Sequence, residues 1–169
     1  MAASHAAETP APAPTLPSSK LPKKATCPVD GKSVDVTAQS PVIYVNDTPR
    51  VFCSTACRDK FAGWPEKYVK ETVFCSVQPN FKGWIQTSRR MEVNNNLYFL
   101  CCEPCVGYMR EKPWFYLKET QDPMNGHWFK PSEATRRSDF KGQIYLFETP
   151  ETKTQFDKEP EKHVLLFRR

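Results

Sequence analysis

Short apolar runs broken by reversal signals recur along this chain. Ile43-Tyr44-Val45, Asn46-Asp47 and Arg50-Val51-Phe52 predict two short strands around a tight turn. The same order returns as Met91-Glu92-Val93, Asn94-Asn95-Asn96 and Leu97-Tyr98-Phe99-Leu100, and again as Phe140, Lys141-Gly142 and Ile144-Tyr145-Leu146-Phe147. A helix signal follows each hairpin. Ser54 is placed to cap a helix carrying Cys57 in its first turn and Phe61 one turn further on. Pro104 and Pro150 suit an early helical position, with Met109 and Phe156 in the column of Phe61. The predicted class is α+β, a hairpin and a short helix in each of three units.

Offsets along the chain carry the repeat. Moving by 48 places lays Cys75 on Cys27, Cys101 on Cys53, Cys105 on Cys57 and Pro113 on Pro65. Moving by 95 places lays Asp122-Pro123-Met124-Asn125-Gly126 on Cys27-Pro28-Val29-Asp30-Gly31, and Pro160-Glu161-Lys162-His163-Val164 on Pro65-Glu66-Lys67-Tyr68-Val69. In this third unit the thiol columns hold Asp122, Glu148 and Thr152. The aromatics Phe52, Phe61, Trp64, Phe99, Phe147 and Phe156 fall at repeat columns and read as the cores of small units.

Composition sets the boundaries. Residues 1–26 are rich in Ala, Pro, Ser and Thr and predict a disordered tail, since such a segment buries too little apolar surface to offset its ordering entropy. Ala/Pro-rich spacers of this kind often follow a cleaved export signal, which points to an exported or periplasmic protein with a cytoplasmic one left open. A net charge of +5 without a run of like charges argues against a nucleic-acid partner. The longest compact apolar cluster, Leu97 to Cys102, is far short of a membrane span of roughly 20 residues.

Six of the seven cysteines obey one spacing, C-x25-C-x3-C, in Cys27, Cys53 and Cys57 and in Cys75, Cys101 and Cys105. In each unit one cysteine ends a strand, the next lies one turn into the helix, and the distant one sits in a turn that the hairpin folds back over them. Three thiolates so gathered suit one soft ion. The helix start adds a field that favours thiolate. The spacing equally admits a disulfide staple, Cys53 to Cys57 or Cys27 to Cys57, or a dithiol redox pair at Cys53/Cys57 or Cys101/Cys105. No Ser-His-Asp ordering, Gly-rich phosphate loop or HExxH motif is present. Cys102 reads most simply as a half-buried side chain facing away from Cys101, His127 and His163 as packing residues, and Asp122 and Glu148 as solvated replacements for lost ligands.

The stretches Cys27-Pro28-Val29-Asp30-Gly31, Val51-Phe52-Cys53-Ser54-Thr55-Ala56-Cys57 and Pro65-Glu66-Lys67-Tyr68-Val69 resemble the YHS family, which is related to the TRASH domains associated with heavy-metal trafficking, resistance and sensing. That resemblance implies a treble-clef-like or zinc-ribbon-like fold with the cysteines as metal ligands. The family pattern opens DPVCGM; units one and two carry cysteine in place of its Asp, and Asp30 and Gln78 stand where its first Cys falls. Asp30 is then a candidate fourth ligand in unit one. Unit two either recruits Cys102 or stays three-coordinate, a geometry suited to Cu(I). The expected organisation is a tail (1–26), two YHS-like modules (27–72 and 73–120) and a degenerate third (121–169). The expected function is non-catalytic binding of Zn(II) or Cu(I), about one ion per cysteine-bearing module, for trafficking, buffering or sensing. A protein partner would receive or supply the metal. The alternatives are a disulfide-stapled interaction module and a thiol-disulfide oxidoreductase.

Overall fold

The computed structural model describes residues 21–85, 88–165 and 167, and its class is α+β. In chain order the elements are β1 (Lys24–Thr26), β2 (Ser33–Asp35), β3 (Val42–Val45), β4 (Thr48–Val51), α1 (Thr55–Gly63) and α2 (Pro65–Tyr68). The order repeats in β5 (Thr72–Phe74), β6 (Lys82–Trp84), β7 (Arg89–Val93), β8 (Asn96–Leu100), α3 (Glu103–Glu111) and α4 (Pro113–Tyr116). It returns in β9 (Thr120–Gln121), β10 (Trp128–Phe129), β11 (Arg136–Phe140), β12 (Gln143–Phe147) and α5 (Pro150–Lys158), closed by a 3₁₀ turn at Pro160–Lys162. Residues 1–20 of the expected tail lie outside the described residues. Folded chain begins before the expected boundary at 26, because Lys24–Thr26 pairs antiparallel with Ser33–Asp35.

Each longer hairpin closes on two consecutive residues of positive φ: Asn46 and Asp47 (44° and 64°), Asn94 and Asn95 (49° and 61°), Lys141 and Gly142 (49° and 77°). Such pairs define the type I′ turn, whose twist matches that of the flanking strands. In the second hairpin the turn is therefore two residues, and Asn96 belongs to the strand. The helices start as their caps dictate. Ser54 Oγ accepts from the Cys57 N–H at 3.2 Å and Thr149 Oγ1 from that of Thr152 at 3.2 Å. Pro65 and Pro113 then restart the chain as a second short helix, an element additional to those expected.

Among the described residues the three hairpins join in one six-stranded sheet, in the order β11-β12-β7-β8-β3-β4. Pairing is antiparallel within a hairpin and parallel between hairpins, through Val45 against Leu97 and Val93 against Ile144. The outer strands carry their own protection. Pro49 interrupts the edge strand β4, and Arg136, Arg137 and Asp139 line the edge strand β11, features that discourage pairing with a further chain.

The inner strands β8 and β12 are buried at every position. Leu97 and Phe99 enter the core formed with Ile43, Phe52, Phe61 and Val69, while the alternate residues Tyr98 and Leu100 enter a second core with Met91, Met109 and Leu117. Ile144 and Leu146 complete that second core, and Tyr145 and Phe147 pack on Phe156 in a third. A strand covered on both faces needs no polar alternation, which accounts for the unbroken runs seen in the sequence. The first two cores thus each borrow residues from the following hairpin.

Candidate metal centres

Cys27 follows β1 in a tight loop where its N–H donates to the Lys32 carbonyl at 2.9 Å and the Gly31 N–H returns to its own carbonyl at 2.9 Å. Gly31 holds φ of 75°, a conformation that glycine adopts without strain. Cys53 follows β4, and Cys57 lies in the first turn of α1. The fold brings the three together with Asp30, their ligand atoms all within 4.8 Å of one another. Cys53 Sγ is 3.5 Å from Cys57 Sγ and 3.2 Å from Asp30 Oδ2, which lies 3.8 Å from Cys57 Sγ. Cys27 and Cys57 are buried and Cys53 half-buried, so the pocket opens on the side of Cys53 and Asp30.

Electrostatics within this cluster are divided. Burial raises the Cys27 thiol, yet the backbone N–H groups of Cys53, Asp30 and Val29 outweigh it and leave the group below its ordinary value. Cys53 is pushed up to about 12, first by its hydrogen bond to the Asp30 carboxylate and then by Cys57. The same bond, with the Lys32 N–H, holds the Asp30 carboxyl well below the usual carboxylate range. The metal-free cluster therefore sets a Cys27 thiol that ionises more readily than usual, and an ionised Asp30, beside a protonated Cys53.

The second cluster is built alike. Cys75, Cys101 and Cys105 place their Sγ atoms within 4.8 Å of one another, with Cys75 and Cys105 buried and Cys101 half-buried. Cys75 accepts from the Gln78 N–H at 3.4 Å, and although burial opposes it, the N–H groups of Cys101, Gln78 and Val77 lower its pKa. The loop is one residue longer than in unit one, so β6 comes one place later than the 48-residue offset. In the column of Asp30 the neutral Gln78 brings its Oε1 within 3.4 Å of Cys101 Sγ.

Two expectations fail here. Cys102 does not face away from Cys101: its Sγ is 3.6 Å from Cys101 Sγ and 3.4 Å from Cys105 Sγ. It occupies the N-cap column that holds Ser54 and Thr149 in the other units, and a cap side chain points at the first turn of its own helix. The helix-start field expected to favour thiolate loses at Cys105, which burial and its neighbours Cys102 and Cys101 push above its ordinary value.

In unit three Asp122 takes the Cys27 column and is fully buried, not solvated. Its Oδ1 accepts from the Met124 N–H at 2.9 Å, and its Oδ2 accepts from the Glu148 N–H at 2.8 Å and from the Thr152 hydroxyl at 2.7 Å. Met124 and Glu148 are the counterparts of Val29 and Cys53. The same loop N–H groups thus cradle a hydrogen-bond acceptor in every unit, a sulfur twice and a carboxylate once. Glu148 itself is exposed, 3.3 Å from His127 Nδ1, and His163 packs against the Phe156 ring. Neither histidine joins a metal-capable group among the described residues.

Sequence reading placed Asn46 and Asn94 in turns but missed the bonds they make beyond their own hairpins. Asn94 Nδ2 donates to Thr120 Oγ1 at 3.1 Å and to the Gln121 and Leu146 carbonyls at 2.9 Å each, while its Oδ1 accepts from the Leu146 N–H at 2.6 Å. Asn46 does the same one unit earlier, to the Phe74 and Phe99 carbonyls and from the Phe99 N–H. Each turn asparagine ties its hairpin to the next hairpin and to the strand that ends at the next cluster. The signal was present in the repeated Asn at the 48-residue offset, opposed by Lys141 in the last unit. No family model, curated protein or solved structure matches the chain.

Proposed function

We propose that this chain is a non-catalytic binder of a thiophilic transition metal, with one ion at Cys27, Cys53 and Cys57 and another at Cys75, Cys101 and Cys105, serving trafficking, buffering or sensing in an exported or periplasmic setting. The observation that carries this reading is the convergence of three sulfurs, 26 and 4 residues apart in sequence, to within 4.8 Å in both clusters. Asp30 completes a three-sulfur, one-oxygen set in the first, which suits tetrahedral Zn(II); the second offers three sulfurs and suits Cu(I). The chain is read further as three tandem YHS-like modules whose last copy keeps the frame and fills its site with Asp122. The buried, hydrogen-bonded carboxylate supports that assignment, because it stabilises the loop without an ion.

Native mass spectrometry of protein kept reduced and anaerobic from lysis tests the reading. Two ions per chain are expected, and Cys57→Ser removes one. Protein that takes up neither Zn(II) nor Cu(I) with all seven thiols reduced would overturn it. The short contacts among Cys101, Cys102 and Cys105 favour a second reading, thiol-disulfide chemistry at that cluster, and thiol counting before and after mild oxidation distinguishes it.

A further inference from the structure

The second cluster holds one more sulfur than a three-coordinate ion needs. Cys75, Cys101 and Cys105 form one triad, with Cys75 and Cys105 buried. Cys101, Cys102 and Cys105 form another, with Sγ separations of 3.6, 3.4 and 3.5 Å. The two triads share the Cys101–Cys105 edge. A planar ion with metal–sulfur bonds of about 2.3 Å wants sulfurs about 4 Å apart, so either triad closes on an ion with small side-chain shifts. Cys102 is half-exposed, flanked by the exposed Glu103 and Pro104, whereas Cys75 is almost wholly buried.

The first cluster lacks this arrangement. Its N-cap column holds Ser54, and its fourth donor is the Asp30 carboxylate on the opposite loop. The second cluster has the reverse allotment, a neutral Gln78 on the loop and a thiol at the cap. A charged fourth ligand retains a divalent ion. A spare thiol at the rim offers an exit.

We propose that the second cluster is a transfer site for Cu(I), in which the ion moves from the inner triad to the outer one by exchanging Cys75 for Cys102. The Cys102 thiol gives up its proton and forms a Cu–S bond while the Cu–S bond to Cys75 breaks. Cys75 is left as thiolate in its N–H cradle or takes up a proton from solvent. Copper stays in the +1 state, and Cys101 and Cys105 remain bound throughout. From the outer triad the ion passes to an acceptor presenting soft donor atoms, which displaces the protein thiolates in turn. This step rests on the metal-binding reading above and assigns the second cluster its ion and its direction of release.

The test uses full-length, reduced protein loaded anaerobically with Cu(I), its stoichiometry read by native mass spectrometry and its release followed by stopped-flow absorbance with bathocuproine disulfonate as acceptor. Cys102→Ser places at the cap the residue that unit one uses there, so the fold is retained. Its expected behaviour is an unchanged Cu(I) stoichiometry with release from the second cluster slowed by about tenfold. Cys75→Ser is expected to keep the ion on the outer triad and release it faster than the parent protein. An unchanged release rate in Cys102→Ser overturns the proposal. So does loss of a Cu(I) equivalent in that variant, which makes Cys102 a resident ligand. Parent protein that binds Zn(II) at both clusters but no Cu(I) overturns the transfer step and leaves metal binding standing; protein that binds neither removes both.

Discussion

The Cys53 thiol donating to the Asp30 carboxylate sets the proton count of the first cluster. With Cys53 raised to about 12, a metal ion must displace its proton, so affinity rises with pH and binding releases acid. The contact also steadies the metal-free loop. Because the thiol lies above its ordinary value of 9.0, that contribution is fully present below 9.0 and disappears as pH climbs towards about 12. From the carboxylate side, whose value is lowered, it is present above 3.8 and is lost as pH falls below it. Asp30→Asn removes the largest cause of the Cys53 shift. The expected result is alkylation of Cys53 by iodoacetamide in metal-free protein at pH 8 accelerated by roughly tenfold or more, with weaker Zn(II) retention at that cluster. Peptide mapping that finds Cys53 labelled no faster would show that the carboxylate does not control it.

At the scale of elements, the turn asparagines hold one hairpin to the next. Asn94 satisfies the Leu146 N–H and carbonyl, which are buried, and the partly buried Gln121 carbonyl. Truncation leaves those groups unpaired. Asn94→Ala is expected to lower the urea unfolding free energy by roughly 2–4 kcal/mol from the lost hydrogen bonds and the left-handed backbone together. Asn94→Gly keeps the φ of 49° without strain and isolates the hydrogen-bond share, so it should fall between the alanine variant and the parent protein. Equal stability of the glycine variant and the parent would reduce Asn94 to a turn former. The counterpart in the third hairpin is Lys141, whose side chain is exposed.

Across the whole molecule the borrowed core residues couple the clusters. Phe99 lies on β8, in the second hairpin, yet packs in the core that contains Cys27 and Cys57. Phe99→Ala is expected to cost about 3–5 kcal/mol, and to loosen metal at Cys27, Cys53 and Cys57 more than at Cys75, Cys101 and Cys105. Competition with a chelator, scored by which cysteines become alkylated, reads that order directly. Equal loss from both clusters, or loss from the second first, would mean that the cores are not shared as the packing indicates.

The hairpins, the helix starts, the cysteine spacing and the acid and hydroxyl columns of the third unit are legible along the chain, because each follows from local chemistry: turn asparagines, capping residues, prolines and a fixed offset. Even the unbroken apolar runs Leu97–Leu100 and Ile144–Phe147 announced burial. Packing in three dimensions settled what those runs face, since a strand cannot reveal from its own residues that a second unit covers its other side. It likewise turned Cys102 towards its neighbours and sealed Asp122 inside a ring of donors. Both outcomes depend on where the helix cap and the preceding loop meet, a distance that no spacing along the chain contains.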